Sequence, residues 1–507
     1  MEIAFLPLDE RPCNWKYGEM MAAAVDDLHL NVLPLSLLGR QKRPAELAPI
    51  NDFLLANSVH TDVLVLALDT FFYGGLIPSR THHLQMTAVT HQLELLRRLK
   101  AAHPGIKIYA SMTIMRSPAY NSAAEEPDYY ADYGLRLHRR AYLMDKRERH
   151  DGLSDAEATE LAKIAIPDAI VQDYETRRRF NRSVNQQVLT LVKEGTIDFL
   201  VIPQDDSAPF GYTALDQQYV YQQIKHLDLE ERVNVYPGAD EVGTTLITRA
   251  YLDHHHRTPK IFLFFSSTLG PSIVPLYEDR PMLESLKYHT RACGAQLVPT
   301  PEEADLILAV NSPGKVMQRA KEQIDHLDIS YVSYRDLNDF VLQVIGYLQA
   351  GKKVSVCDSA FGNGGDLSLI KRLDRHEVLA KLWSYAGWNT NANTLGTVLA
   401  DSLLKLDSAP AAVNPVYLAY RIVEDVLYQT VVRQTVLNDV LPRMNVQDYH
   451  LGVKEEQVTA VIAEQLNAAY GKMAVSREVP VTVTNVALPW HRLFEINFDL
   501  VRGSIRS

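Results

Sequence analysis

Short apolar runs rich in β-branched and aromatic residues alternate along this chain with longer stretches of helical period, the pattern of an α/β protein. The runs Ile3–Leu8, Asn31–Leu35, Val63–Leu68, Lys107–Met112, Phe199–Pro203, Val233–Tyr236, Ile261–Phe265, Leu306–Val310, Val354–Cys357 and Leu382–Tyr385 predict strands. Many are apolar without alternation, as expected where helices cover both faces of a parallel sheet. Gln92–Ala102, Tyr174–Glu194 and Asp336–Gln349 predict helices between them.

About eight strand–helix units before residue 400 fit a (β/α)8-type barrel with helical insertions, which is the leading expectation. Two doubly wound α/β lobes, divided near Thr300, account for the same pattern, and periodicity does not separate the two. An α/β catalytic domain is expected over residues 1–410, interrupted at about 117–195 by a helical insertion rich in Tyr, Arg and acids. Insertions of that kind often shape a substrate site. The stretch 411–507, with amphipathic helices at Val413–Val440 and Lys454–Ala469 and a late strand at Val481–Val486, reads as a mainly helical C-terminal accessory module.

The residues just past each strand carry the candidate chemistry. The first strand leads into Asp9-Glu10-Arg11, the third into Asp69-Thr70-Phe71-Phe72-Tyr73, and the fourth into Thr113-Ile114-Met115-Arg116. Later strands end at Gln204-Asp205-Asp206, Asp240-Glu241, Asn311-Ser312, Asp358-Ser359 and Trp388-Asn389-Thr390-Asn391-Ala392-Asn393. In α/β proteins the ligand sits beyond the carboxyl ends of the strands. A single strand-end Asp is commonly a helix cap or turn residue; polar groups at eight strand ends favour function. Carboxylates and amides accept hydrogen bonds from vicinal hydroxyls, and aromatic faces stack on a pyranose, so the set suits a neutral polyhydroxylated ligand.

Composition narrows the partners. The 507 residues are 47% hydrophobic and 22% charged, with a formal charge of −11. That balance argues against nucleic acid or an anionic membrane as the main partner. Arg177-Arg178-Arg179 reads as a solvated helix face, and Asp253-His254-His255-His256 as an exposed helix end and not a metal site. Cys13, Cys293 and Cys357 are widely separated, which speaks against a disulfide framework or a zinc knuckle. No run of about 18 apolar residues occurs, and Glu2-Ile-Ala-Phe-Leu-Pro-Leu lacks the basic flank of a signal peptide. A cytoplasmic protein is expected.

The Asp205-Asp206 pair is the sharpest candidate. Glycoside hydrolysis uses two carboxyl groups, one protonated and one ionised, and adjacent acids push their pKa values apart. Neighbouring residues on an ideal strand point to opposite faces, so the two converge only where the strand breaks. Pro203 and Pro209 predict that break.

The motifs Pro7-Leu8-Asp9-Glu10-Arg11-Pro12, Gln204-Asp205-Asp206-Ser207-Ala208-Pro209-Phe210-Gly211, Gly238-Ala239-Asp240-Glu241-Val242-Gly243 and Ala386-Gly387-Trp388-Asn389-Thr390 through Thr397 resemble, together, a bacterial family catalogued as a domain of unknown function (number 4127). By position alone, an Asp-Asp pair ending the fourth main barrel strand, with a later Trp-Asn, is similar to the O-GlcNAcase and hexosaminidase glycosidases. That count leaves Asn31–Leu35 outside the barrel. The analogy implies that Asp205 orients a substrate acetamido group, that Asp206 is the acid/base, and that Asn389 or Asn393 binds sugar hydroxyls.

The leading expectation is therefore a glycoside hydrolase acting on a small carbohydrate, with β-N-acetylhexosaminides as the substrate class and no cofactor or metal. Asp205, Asp206, Asp240 and Glu241 are its candidate catalytic residues. Asp9, Arg11, Asp69, Tyr73, Arg116, Asn311, Asp358, Trp388, Asn389 and Asn393 are its candidate substrate-binding residues. Two alternatives stay open: a Mg²⁺- or Mn²⁺-dependent sugar isomerase or hydrolase using Asp9, Asp69, Asp240, Glu241 and Asp358, and a non-catalytic sugar-binding protein. A homo-oligomer is also left open.

Overall fold

A computed structural model describes residues 1–149, 152–408 and 415–503. The chain forms two compact units. The first comprises Met1–Glu10, Leu28–Ala250 and Tyr277–Asp279; the second comprises Arg11–Asp27, Tyr251–Leu276 and Arg280–Ser507.

In the first unit, β1 (Glu2–Leu6), β2 (His29–Val32), β3 (Val63–Ala67), β4 (Lys107–Ser111), β5 (Phe199–Gln204) and β6 (Val233–Pro237) form one parallel sheet in the order β2-β1-β3-β4-β5-β6. Every residue of β3, β5 and β6 is buried, which is why β3 reads as an unbroken apolar run and β5 as one up to Pro203. The edge strand β2 instead alternates between exposed and half-buried positions.

The second unit contains β7 (Lys260–Phe265), β8 (Gln296–Leu297), β9 (Leu306–Asn311), β10 (Gln318–Arg319), β11 (Val354–Asp358), β12 (Phe361–Gly362) and β13 (Ser384–Ala386). Five of them form a parallel sheet, β13-β11-β9-β7-β8, and β10 pairs with β12. Toward the carboxyl terminus, β14 (Val481–Ala487) and β15 (Asn497–Arg502) make an antiparallel hairpin. The helix Glu455–Tyr470 holds β14 through Asn467, whose side chain exchanges hydrogen bonds of 2.8 and 3.0 Å with the Val483 backbone.

Each predicted strand is present, but the expected closed barrel is not. After β6 the chain enters the helix Val242–His254, and β7 pairs with β8 and β9 and not with β6. Two open sheets result, as in the two-lobed alternative, but the division falls at Ala250–Tyr251 and not near Thr300. Both carry the doubly wound order in which the chain places one strand on one side of its first strand and then reverses. The reversals fall between β1 and β3 and between β7 and β9. The eight polar strand ends expected on one barrel are thereby divided between two sheets.

The insertion is helical, with Tyr130–Arg149, Asp155–Lys163 and Asp168–Lys193. The last of these buries Val184, Val188, Leu191 and Val192 against the first sheet's apolar core. Tyr130 packs with Tyr174 and Tyr212 in a smaller cluster beneath the insertion. The solvated face expected at Arg177–Arg179 is corrected: Arg177 and Arg178 are buried, and only Arg179 is exposed. Arg178 donates to the Met115 and Arg116 carbonyls at 2.7 and 2.9 Å and pairs with Asp216 at 2.6 Å. His254, His255 and His256 do form an exposed helix end. The boundary expected near 410 falls outside the described residues. Beyond it, Pro415–Met444 is one helical rod that widens into π turns over Ile422–Val432 and Val436–Val440.

Candidate functional site

The first unit gathers charge at the ends of β3, β4 and β5. Strand β5 stops at Gln204, before both acids, and Asp206 adopts a left-handed backbone, φ 49°, so the chain turns at the pair. Their side chains consequently meet one cluster. Arg80 Nη2 donates to Asp205 Oδ2, and Arg116 Nη1 donates to Asp206 Oδ2 at 3.3 Å. Both arginines also share two glutamates. Glu126 Oε1 accepts from Arg80 at 3.2 Å and from Arg116 at 2.8 Å, and Glu125 Oε2 accepts from the same two at 3.3 and 3.0 Å.

Two guanidiniums therefore face four carboxylates, and the surplus of negative charge is partly buried. Desolvation pushes the Asp206 carboxyl up to about 6; Arg116 pulls it down, while Asp205 adds to the upward push. Asp206 keeps 30% of its side chain in contact with solvent and Asp205 keeps 16%. The acid whose proton is released near neutrality is thus the more accessible of the pair.

Asp69, at the end of β3 and beside the sheet's reversal point, is fully buried. It accepts from Thr113 N and Thr113 Oγ1 at 2.9 Å each, and burial lifts its carboxyl to about 6 against these bonds. The next residue, Thr70, ties β3 to the end of β1 by donating to the Pro7 and Leu8 carbonyls. Asp9 is buried just past β1, and Asp240 and Glu241 are buried just past β6.

The insertion positions this cluster. Tyr174 and Arg178 donate to the Arg116 carbonyl at 3.1 and 2.9 Å. Asp145 Oδ2 accepts from Gly211 N at 2.7 Å, and Arg149 donates to the Pro209 carbonyl at 2.9 Å, pinning the turn after Asp206. Ser207 N donates to the Tyr277 carbonyl at 2.9 Å. Gln204 and Gln217 both donate to Asp279 Oδ2, at 3.2 and 2.7 Å.

In the second unit, a separate network lies at the ends of β9 and β11. Asp358 Oδ1 accepts from Asn311 at 2.8 Å, while Oδ2 accepts from Asp366 N and the Tyr385 hydroxyl at 2.8 Å each. Arg335 donates to Asp366 and Asn311 at 2.6 and 3.1 Å. Burial raises Asp358 to about 6 and Asp425, which accepts from Gly387 N, to about 7.

The sequence-derived candidates thus separate. Asp69, Arg116, Asp205 and Asp206 come together; Asn311 and Asp358 belong to the second network. Tyr73 is occupied by Asn181 at 3.1 Å and packs its ring on His82. Arg11 pairs with Glu495 at 3.2 Å and lies over Trp490. Trp388 is buried edge-on to Tyr17, Asn389 offers its carbonyl to Asn363 N, and Asn393 N donates to the Thr390 cap. Arg80, Glu125 and Glu126 stand outside the strand-end pattern; a lone arginine in the apolar helix Leu76–Thr81 was the available signal. Among the described residues no group of three or more His, Cys, Asp or Glu side chains is placed to hold a metal ion. No described helix is long and apolar enough to cross a membrane.

No curated protein matches the chain. Residues 3–499 match the family described as "Protein of unknown function (DUF4127)", nearly the full length, and the chain belongs to that family.

Proposed function

We propose that the strand-end cluster of the first unit hydrolyses glycosidic bonds, with Asp206 as the general acid and base. The observation that carries this reading is the convergence of Asp205 and Asp206 on one arginine-bridged cluster, with Asp206 lifted to about 6 and open to solvent. A carboxyl of that kind protonates a leaving oxygen near neutral pH and takes the proton back from water in the second step. Asp205, anchored by Arg80 through one oxygen, keeps its other oxygen for a substrate N–H. That suits a 2-acetamido sugar whose own carbonyl attacks C1 as the bond to the leaving group breaks.

The test is turnover of a panel of 4-nitrophenyl glycosides that includes β-N-acetylhexosaminides. Wild type should release nitrophenol, and Asp206→Asn should lose at least about a hundredfold in kcat without a lowered melting temperature. Undiminished turnover in Asp206→Asn overturns the assignment. Binding of sugars by wild type without any turnover would favour a sugar-binding protein instead.

A further inference from the structure

The helix Leu367–Arg375 is held at its start by Asp366, whose Oδ1 accepts from Ser368 N and Leu369 N at 2.8 and 3.3 Å. Leu369, Ile370 and Leu373 face the core. Lys371, Arg372 and Arg375, with His376 just beyond, line a cavity of about 400 Å³ against the helix Leu337–Gln349. None of these four side chains forms an ion pair among the described residues, in a chain whose formal charge is −11. Lys371 and Arg375 are exposed and stand one turn apart on the helix, a spacing at which like charges repel and an anion is favoured.

Arg372 is already oriented. Its Nε donates to Asn338 Oδ1 at 2.9 Å and its Nη1 to the Ser368 carbonyl at 3.0 Å, leaving Nη2 without a partner among the described residues. A fixed guanidinium beside further cations is the geometry that favours a phosphate dianion. Asn338, Ser368 and Arg372 also border a second cavity of about 730 Å³. Its wall includes Leu269, Val332, Tyr334 and Leu337, and Val332 and Tyr334 are 69% and 42% exposed. Cationic and apolar halves thus adjoin at one arginine, and each cavity is of the size that small ligands occupy, about 300–1,000 Å³.

We propose that this groove binds a small organic phosphate monoester, the phosphate on Lys371, Arg372, Arg375 and His376 and the apolar or aromatic body against Val332 and Tyr334. The site lies wholly in the second unit and does not depend on the glycosidase reading.

Calorimetric titration of the full-length protein with adenosine 5′-monophosphate tests it, with adenosine, inorganic phosphate and phosphatidic acid vesicles as parallel probes. The nucleotide should bind at one site, more weakly as salt rises, while adenosine should not bind. K371E/R375E should weaken the nucleotide at least tenfold, whereas Lys287→Glu, on the helix Met282–Ala292 that borders neither cavity, should not. Val332→Ser should weaken the nucleotide but not inorganic phosphate. No nucleotide binding at millimolar concentration, equal binding by K371E/R375E, equal loss in Lys287→Glu, or binding to the vesicles alone would each overturn the proposal. Melting curves confirm that the variants are folded before titration.

Discussion

Thr113 holds Asp69 twice, through its backbone N–H and its hydroxyl, each at 2.9 Å, yet burial still lifts the carboxyl to about 6. Because the folded value exceeds the ordinary 3.8, protonated Asp69 stabilises the fold. That contribution is complete below about 4 and is lost as pH rises through about 6. Asp69→Asn keeps an acceptor for Thr113 without the charge. Urea unfolding should find it more stable than wild type at pH 8, by up to about 3 kcal/mol, with the gap closing toward pH 4. A gap that is constant with pH would show that Asp69 is not the group responsible.

If Asp206 donates the proton to the leaving group, its protonated form is the active one in the first step. The rate kcat/KM should then fall about tenfold per pH unit above about 6. Removing Arg116 as Arg116→Met takes away the cation that lowers Asp206, so the falling limb should move to higher pH. A limb that stays in place, measured at constant ionic strength, would detach Asp206 from the profile.

Arg80 is the hub of three carboxylates and is almost wholly buried. Its replacement by Met leaves uncompensated acids and should cost about 3–5 kcal/mol. Adding Glu126→Gln to Arg80→Met should recover part of that loss, since one of the stranded charges is gone. Strict additivity of the two substitutions in urea melts would contradict a shared electrostatic cluster.

In the second unit, Gly365 leaves room for the hydrogen bond from Tyr385 to Asp358. A Cβ at position 365 would collide with the Tyr385 hydroxyl and come within 2.9 Å of Val426 Cγ2 and 3.1 Å of Asp358 Oδ2. Gly365→Ala should therefore cost about 1–3 kcal/mol. Tyr385→Phe, which removes the colliding oxygen, should make the double variant less unstable than the sum of the single changes.

Much of the fold was legible because strands buried on both faces write continuous apolar runs, as Val63–Ala67 does, without needing a partner to be recognised. Closure was not legible. Whether β6 pairs with β7 depends on which edges meet after a helix, and apolar content carries no such instruction. The break after Gln204 could be read from Pro203 and Pro209, and with it the convergence of Asp205 and Asp206. Arg80, Glu125 and Glu126 were hidden because the contacts of Arg80 span separations of 45 to 125 residues. Arg11 pairs with Glu495, 484 positions away, a contact that no local pattern announces.

The allocation of chain to the two units bears on synthesis as well as on structure. The helix Pro12–Ala22, with its buried Cys13, Tyr17 and Met21, emerges near the start of translation but belongs to the unit whose remaining segments begin at Tyr251. A nascent chain ending at Ala250 carries all six strands of the first sheet while that helix still lacks its native surroundings. Domain-by-domain folding from the amino terminus is therefore interrupted within the first thirty residues. No single scission separates the units, so halves made independently would have to exchange this helix before both were whole.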